Sequence, residues 1–321
     1  MDVFYYNSIV IGSIFLGCLL VWLFLPRFFS KGCSSKICLV GKTALITGGS
    51  LGIGYEIVLG LAQRGCRVII ADKVINKDIK NKIILETNNP EIYMEYVDLG
   101  SFKSVRSLAE KLKTSEKKLD ILIHNAAIGS CGGALSEDDI NLTMQVNYYS
   151  PFLLTHLLVD LLKNSPSARL LFCGSPVVWF SRRFFAFSRA VWNTFADYWV
   201  SKTFLIVVSD LFAERLKHHG VTSNCFHPGA VNTRLHHQFL GHRLGTFLHG
   251  ILGPLVFKSP EEGAQTAIYL ACSNEVKNVT GEFFCDMKPT KKVKEVENKR
   301  FCESLWEVSE EVVKLKKNEL L

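Results

Sequence analysis

Between Lys42 and Gly65 the chain passes from a short apolar run, through a cluster of glycines, into a helical pattern. Few folds accept that order. Lys42-Thr43-Ala44-Leu45-Ile46-Thr47 suits a buried strand. It runs straight into Gly48-Gly49-Ser50-Leu51-Gly52-Ile53-Gly54, and Tyr55 to Gly65 then reads as a helix. Strand, glycine turn and helix open a dinucleotide-binding unit: small residues let the backbone approach a pyrophosphate, which sits at the positive N-terminus of the helix. Taken alone, the turn equally suits a plain tight turn. The spacing Gly48, Gly52, Gly54, with a further glycine at 49, differs from Gly-x-Gly-x-x-Gly.

A second feature is Tyr198-Trp199-Val200-Ser201-Lys202. On a helix this spacing puts the phenol and the ammonium on one face, about one turn apart. A lysine there favours the phenolate and is expected to lower the tyrosine pKa toward working pH. An amphipathic helix with one tyrosine and one snorkelling lysine would give the same pattern.

With Thr47 in front, the glycine spacing resembles the Thr-Gly-x-x-x-Gly-x-Gly motif of the short-chain dehydrogenase/reductase family, and other landmarks follow in order. Asp98 and Leu99 follow the strand candidate Tyr93 to Val97, where the family contacts adenine. His124-Asn125-Ala126-Ala127 resembles Asn-Asn-Ala-Gly, with alanine in place of the last glycine. Asn147 matches a helix asparagine that organises a proton-relay water, and Ser175, after the strand Arg169 to Cys173, matches the catalytic serine. His227-Pro228-Gly229, with Val231 and Thr233 beyond, resembles the loop that holds the nicotinamide carboxamide. The resemblance implies a single doubly wound, parallel-sheet α/β Rossmann domain. It implies Asn147, Ser175, Tyr198 and Lys202 as catalytic residues. It also places cofactor contacts at Thr47, Gly48, Ser50, Leu51, Gly52, Ile53 and Gly54, at Asp72, Asp98, Leu99 and Asn125, at Tyr198 and Lys202, and at Pro228, Gly229, Val231 and Thr233.

Leu119 to Gly132, Pro151 to Leu158, Ser259 to Thr266 and the late Leu305-Trp306-Glu307-Val308-Ser309 resemble the membrane-bound retinol dehydrogenase branch. The long interval from Ser175 to Tyr198 is also that branch's. Cofactor choice falls at the end of the strand Arg67 to Ala71. Asp72 there can accept both ribose hydroxyls of NAD and repel a 2′-phosphate. NAD(H) is therefore expected. NADP(H) stays open, because much of the branch uses it and because Lys73 could offset that repulsion.

Phe4 to Leu25 carries no charge and as a helix would span roughly 33 Å, enough to cross a bilayer. A cleaved signal peptide would carry a basic flank and a shorter apolar core. Arg27, Lys31, Lys36 and Lys42 follow the run and no Lys or Arg precedes it, so the catalytic domain is expected to face the cytosol. The resemblance implies the endoplasmic reticulum, with mitochondrial and lipid-droplet membranes as alternatives. The expected division is an anchor over 1–26, a basic linker over 27–40, the Rossmann domain over 41–287 and a basic, helical tail over 288–321.

The ten cysteines form no disulfide framework and no Cys-x-x-Cys. The net charge of +7 gathers partly at Lys288, Lys291, Lys292 and Lys294, where a solvated tail or attraction to anionic lipid accounts for it better than nucleic acid. His236, His237, His242 and His249 lack carboxylate or cysteine partners at ligand spacing, so no metal is expected. Leu235 to Phe257 is rich in apolar residues and reads either as a substrate cover or as a packed surface helix. Aromatics at Trp179, Phe180, Phe184, Phe185 and Phe187 fit a lipid-soluble substrate, unless they pack on the core or a membrane. Retinol/retinal is the first expectation and a steroid or other lipid carbonyl the second. A non-catalytic NAD(H)-binding scaffold is the competing class. Pairing into a homodimer through the long helices is a family habit that the anchor and tail could prevent.

Overall fold

The computed structural model describes residues 32–179, 189–232 and 257–321, with side chains of the second stretch from 196 onward. Among the described residues eight strands form one sheet: β1 (Thr43–Thr47), β2 (Arg67–Asp72), β3 (Ile92–Tyr96), β4 (Ile121–His124), β5 (Ala168–Cys173), β6 (Val221–His227), β7 (Phe283–Cys285) and β8 (Lys288–Thr290). Their order is β3-β2-β1-β4-β5-β6-β7-β8, and all neighbours are parallel except the β7–β8 hairpin. Strands covered on both faces need continuous apolar runs, and every residue of β1, β4 and β5 is buried.

Helices α1 (Gly52–Ala62), α2 (Lys77–Thr87) and α6 (Pro260–Cys272) cover one face, where Ile57, Val58 and Leu61 share a core with Ala264, Ala267 and Ile268. Helices α3 (Phe102–Ser115), α4 (Ser150–Lys163) and α5 (Arg189–Leu216) cover the other. The order reverses between β1 and β4. In open α/β sheets that reversal leaves a crevice at the carboxyl ends of the strands where ligands bind.

The Rossmann-like fold is therefore as expected, and the expected strands lie within a residue or two of those observed. The C-terminal segment differs. Beyond 287 the chain is not a solvated tail: β8 extends the sheet, and α7 (Lys299–Val312) buries Cys302, Leu305 and Trp306 on α4 and α5. Lys292 is tied to Asp210 at 2.6 Å and to the Gly281 carbonyl. The end of the basic linker is packed too. The Cys33 N–H donates to Gln265 of α6, Arg64 grips the Ser35 carbonyl, and Leu39 is buried.

Among the described residues no helix is long and apolar enough to cross a membrane. The run Phe4 to Leu25 lies outside them, as do Thr233, Leu235 to Val256 with its four histidines, and the aromatics at 180 and 184–187.

Candidate active site

The carboxyl ends of β1, β4 and β5 converge at the reversal point. Thr47 ends β1, and its hydroxyl accepts the N–H groups of Asn125 and Ala126, both at 3.2 Å. The Asn125 amide donates back to the carbonyls of Thr47 and Gly48. Two strand ends are thereby held at one separation. The turn beside them leaves no room for a side chain at two of its glycines. A Cβ on Gly48, whose φ is +66°, would lie 2.9 Å from the Ala126 Cα, and one on Gly54 would lie 2.0 Å from the Gly48 oxygen. Helix α1 begins at Gly52, three residues before the expected Tyr55, and Leu51 caps it with no side-chain hydrogen bond. Its first N–H groups are thus left for an incoming acceptor. The Ser50 hydroxyl is buried with no partner among the described residues. A turn whose glycines at 48 and 54 admit no Cβ, an uncapped helix start and an orphaned hydroxyl fit the pyrophosphate of a dinucleotide.

At the end of β2, Asp72 accepts the Lys73 N–H at 2.7 Å and the Ser50 N–H at 3.2 Å, which turns its carboxylate toward the glycine turn. Asp98 sits beside it. Burial alone would raise its pKa, but the Lys73 ammonium at 2.7 Å and the Gly100 N–H outweigh that and hold it below the usual carboxylate value. Leu99 turns into the core and its carbonyl accepts from Ser150.

Asn147 lies in a wide π-type turn, Gln145–Tyr149, just ahead of α4, a distortion that recurs at functional sites. Its side chain is fully used. Oδ1 accepts the Ile128 N–H at 2.8 Å, and Nδ2 donates to the Ile128 carbonyl at 2.9 Å and to the Ser201 hydroxyl at 3.2 Å. A water that leaves these three bonds intact can be held by its main chain. Ser201 in turn donates to the Tyr198 carbonyl at 2.7 Å, so it ties α5 to the π turn. No spacing rule in the sequence singles out Ser201.

Ser175 follows β5, and Tyr198 and Lys202 stand one turn apart on α5; all three are buried. The Lys202 ammonium donates to the Cys173 carbonyl at 2.7 Å and lies 5.7 Å from the Tyr198 ring centroid. Burial pushes the Tyr198 hydroxyl above its ordinary pKa, and a hydrogen bond with Ser175 opposes it. Burial likewise lowers Lys202. Loss of water is thus the largest influence on the phenol, and the lysine beside it is committed to a carbonyl.

Pro228 and Gly229 follow β6. Gly229 adopts φ +87°, and its N–H donates to His227 Nδ1. Val231 is buried and bridges to Lys258, whose side chain runs along Gly229 and ion-pairs with Asp286. That pair was not foreseen, since its partners are distant in sequence and carry no motif. Trp179 does not stand free in the site: it packs edge-on against His227 at 4.9 Å and donates to the Lys291 carbonyl.

A twisted parallel sheet with a dinucleotide cradle at its reversal point, and a serine, tyrosine and lysine beside it, defines a nicotinamide-dependent oxidoreductase. The family model for short chain dehydrogenases matches residues 42–242, and the chain belongs to that family. It is an enzyme that uses NAD(P). Retinol dehydrogenase 13 of Mus musculus is 35% identical over 95% of this chain and 93% of its own length. Retinol dehydrogenase 12 of Bos taurus is 34% identical over 89% and 91%. Among solved structures, the RhlG/NADP active-site complex of Pseudomonas aeruginosa superposes with a TM-score of 0.61 at 27% identity, covering 78% of this chain and 96% of that one.

Proposed function

We propose that this chain is a membrane-anchored oxidoreductase that interconverts an alcohol and a carbonyl on a lipophilic substrate, retinol/retinal first. The observation that carries the reading is the buried hydrogen-bonded pair of Ser175 and Tyr198 on the edge that also carries the dinucleotide cradle. The likeness to retinol dehydrogenases over nearly the whole chain supports the substrate class.

When bound, the nicotinamide supplies or accepts the hydride. The chain's own residues handle the proton and the charge. Tyr198 gives its hydroxyl proton to the carbonyl oxygen in reduction and takes it back in oxidation. Burial favours the protonated phenol, the form that donates in reduction. Ser175 donates to the same oxygen and stabilises its developing charge. Lys202 fixes the end of β5 through the Cys173 carbonyl, which sets its amino group beneath the site. The Asn147 backbone is the place for a relay water. Asp72, with its carboxylate turned toward the glycine turn, supports NAD(H) over NADP(H).

The uncharged run from Phe4 to Leu25, flanked by cations on its C-terminal side only, supports a single span with the catalytic domain on the cytosolic side, in the endoplasmic reticulum. In this division 1–26 is the anchor and 27–40 the linker, while 288–321 is packed as part of the oxidoreductase domain. Pairing through α4 and α5 is disfavoured, because α7 lies on both.

Turnover by the full-length, membrane-integrated protein on retinal, steroid ketones and fatty aldehydes, each with NADH and NADPH, tests the reading. Retinal reduction with NADH faster than with NADPH is expected. Nucleotide binding without turnover on any of them would turn the chain into a binding scaffold instead.

A further inference from the structure

The end of β2 carries an acid and a base in succession, Asp72 and Lys73. They pull in opposite directions on any group at the adenosine ribose: the carboxylate repels a 2′-phosphate, and the ammonium attracts one. Which prevails depends on where the ammonium goes. In the structure it is held by Asp98. Lys73 Nζ lies 2.7 Å from Asp98 Oδ2, across the gap between two adjacent strand ends.

That partner is well placed to hold it. Asp72 is opposite Tyr96 in the β2–β3 ladder, and the Val97 N–H donates to the Asp72 carbonyl at 2.9 Å, so Asp98 begins where the ladder ends. The other oxygen of Asp98 is fixed by the Gly100 N–H at 2.9 Å, and its own N–H donates to Ser104 at 2.9 Å. The carboxylate is one-quarter exposed and locked by the start of α3, whereas the lysine is two-thirds exposed and mobile on a four-carbon stem. The rigid partner decides where the flexible one rests.

We infer that Asp98 is a specificity-determining residue: it sequesters Lys73, so that the negative field of Asp72 faces the ribose uncompensated and a 2′-phosphate is rejected. The inference rests on the reading of Asp72 as an NAD-selecting carboxylate. It adds a second acid, 26 positions along the chain, that acts on the ribose end through the lysine, apart from the adenine contact expected of it.

Asp98→Asn removes the charge but keeps the acceptor for the Gly100 N–H. Dissociation constants for NADH and NADPH, from quenching of tryptophan fluorescence and from calorimetry on the full chain, give the Kd(NADPH)/Kd(NADH) ratio without turnover. Exposed ion pairs hold their partners weakly, so the ratio should fall by about three- to five-fold in Asp98→Asn. Adding Lys73→Met should return it to the parent value. Should Asp98→Asn fail to fold, Asp98→Ser also keeps a turn acceptor and takes its place. An unchanged ratio, or a fall that persists with Lys73→Met, overturns the role of Asp98. A parent enzyme that binds NADPH more tightly than NADH overturns the reading of Asp72 instead, and the two failures are told apart because one is a ratio and the other a change in that ratio.

Discussion

The carboxyl edge of β1, β4 and β5 and the C-terminal segment from Lys288 to Val313 are both built onto one sheet, yet they are held by different physics. At the edge, single atoms meet single atoms: Thr47 Oγ1 serves two N–H groups, every polar atom of the Asn147 side chain has a named partner, and Lys202 spends a proton on one carbonyl. In the C-terminal segment, area meets area. Trp306 wedges between Phe152, His156 and Phe212 with ring centroids about 5 Å away, and Arg215 stacks over its face at 4.1 Å. One region needs particular residue types at particular positions. The other needs apolar volume that many side chains could supply. Damage to the first should show in chemistry, and damage to the second in stability.

Tyr198→Phe separates the two most sharply. It removes the exchangeable proton and little volume, so kcat should drop by about 10²- to 10⁴-fold, the usual contribution of a positioned acid–base group, while nucleotide binding persists. Single-turnover hydride transfer read at 340 nm checks it, and retained turnover would remove Tyr198 from the role. Trp306→Ala should do the reverse. Emptying a buried indole costs about 3–5 kcal/mol of stability, and the apparent activity per folded molecule should stay put. Urea unfolding followed by activity at low denaturant makes the test. A fall in kcat with stability intact would mean that the C-terminal segment shapes the site and that the division between the two regions is wrong.

The same contrast explains what could be read in the sequence. Thr47, Asn125, Ser175, Tyr198 and Lys202 stand out because their work admits few alternatives, and the strands stand out because two-sided burial forces apolar runs such as Leu170-Leu171-Phe172. The first turn of α1 was hidden, since Gly52 and Gly54 read as loop although a helix start with no Cβ is what the cradle requires. Lys288 to Lys294 read as a solvated tail because its lysines are visible in sequence and their partners are not: Asp210 is held against Lys292 only by the fold. β8 is three residues with a central proline, acceptable on a sheet edge and invisible to any periodicity. The surroundings of Tyr198 are hidden for a related reason, because spacing reveals the neighbouring lysine but not the loss of water around both groups.

Three buried histidines span the two regions and give the mildest test. His124 bonds Thr155 and stacks on Phe172, His227 accepts from Gly229 at the edge, and His156 reaches the Glu319 carbonyl beneath the C-terminal segment. Burial pushes His124 down to about 3, and His156 and His227 to about 4, with the Glu319 carbonyl opposing the shift at His156 and Asp286 opposing it at His227. Each folded-state pKa lies below the unfolded value of about 6.5, so the unfolded chain takes up the protons first. Their contribution to stability is therefore whole above pH 6.5 and is lost as pH falls toward 4 for His156 and His227 and toward 3 for His124, at up to about 1.4 kcal/mol per pH unit for each histidine. Urea unfolding at pH 7.5, 6.5, 5.5 and 4.5 should show that slope, and His156→Phe, which keeps an aromatic ring among Phe152, Phe212 and Trp306, should flatten it by one histidine's share. An unaltered slope would mean that His156 is already hydrated in the native protein and that α7 covers α4 less tightly than the strand edge closes on His124.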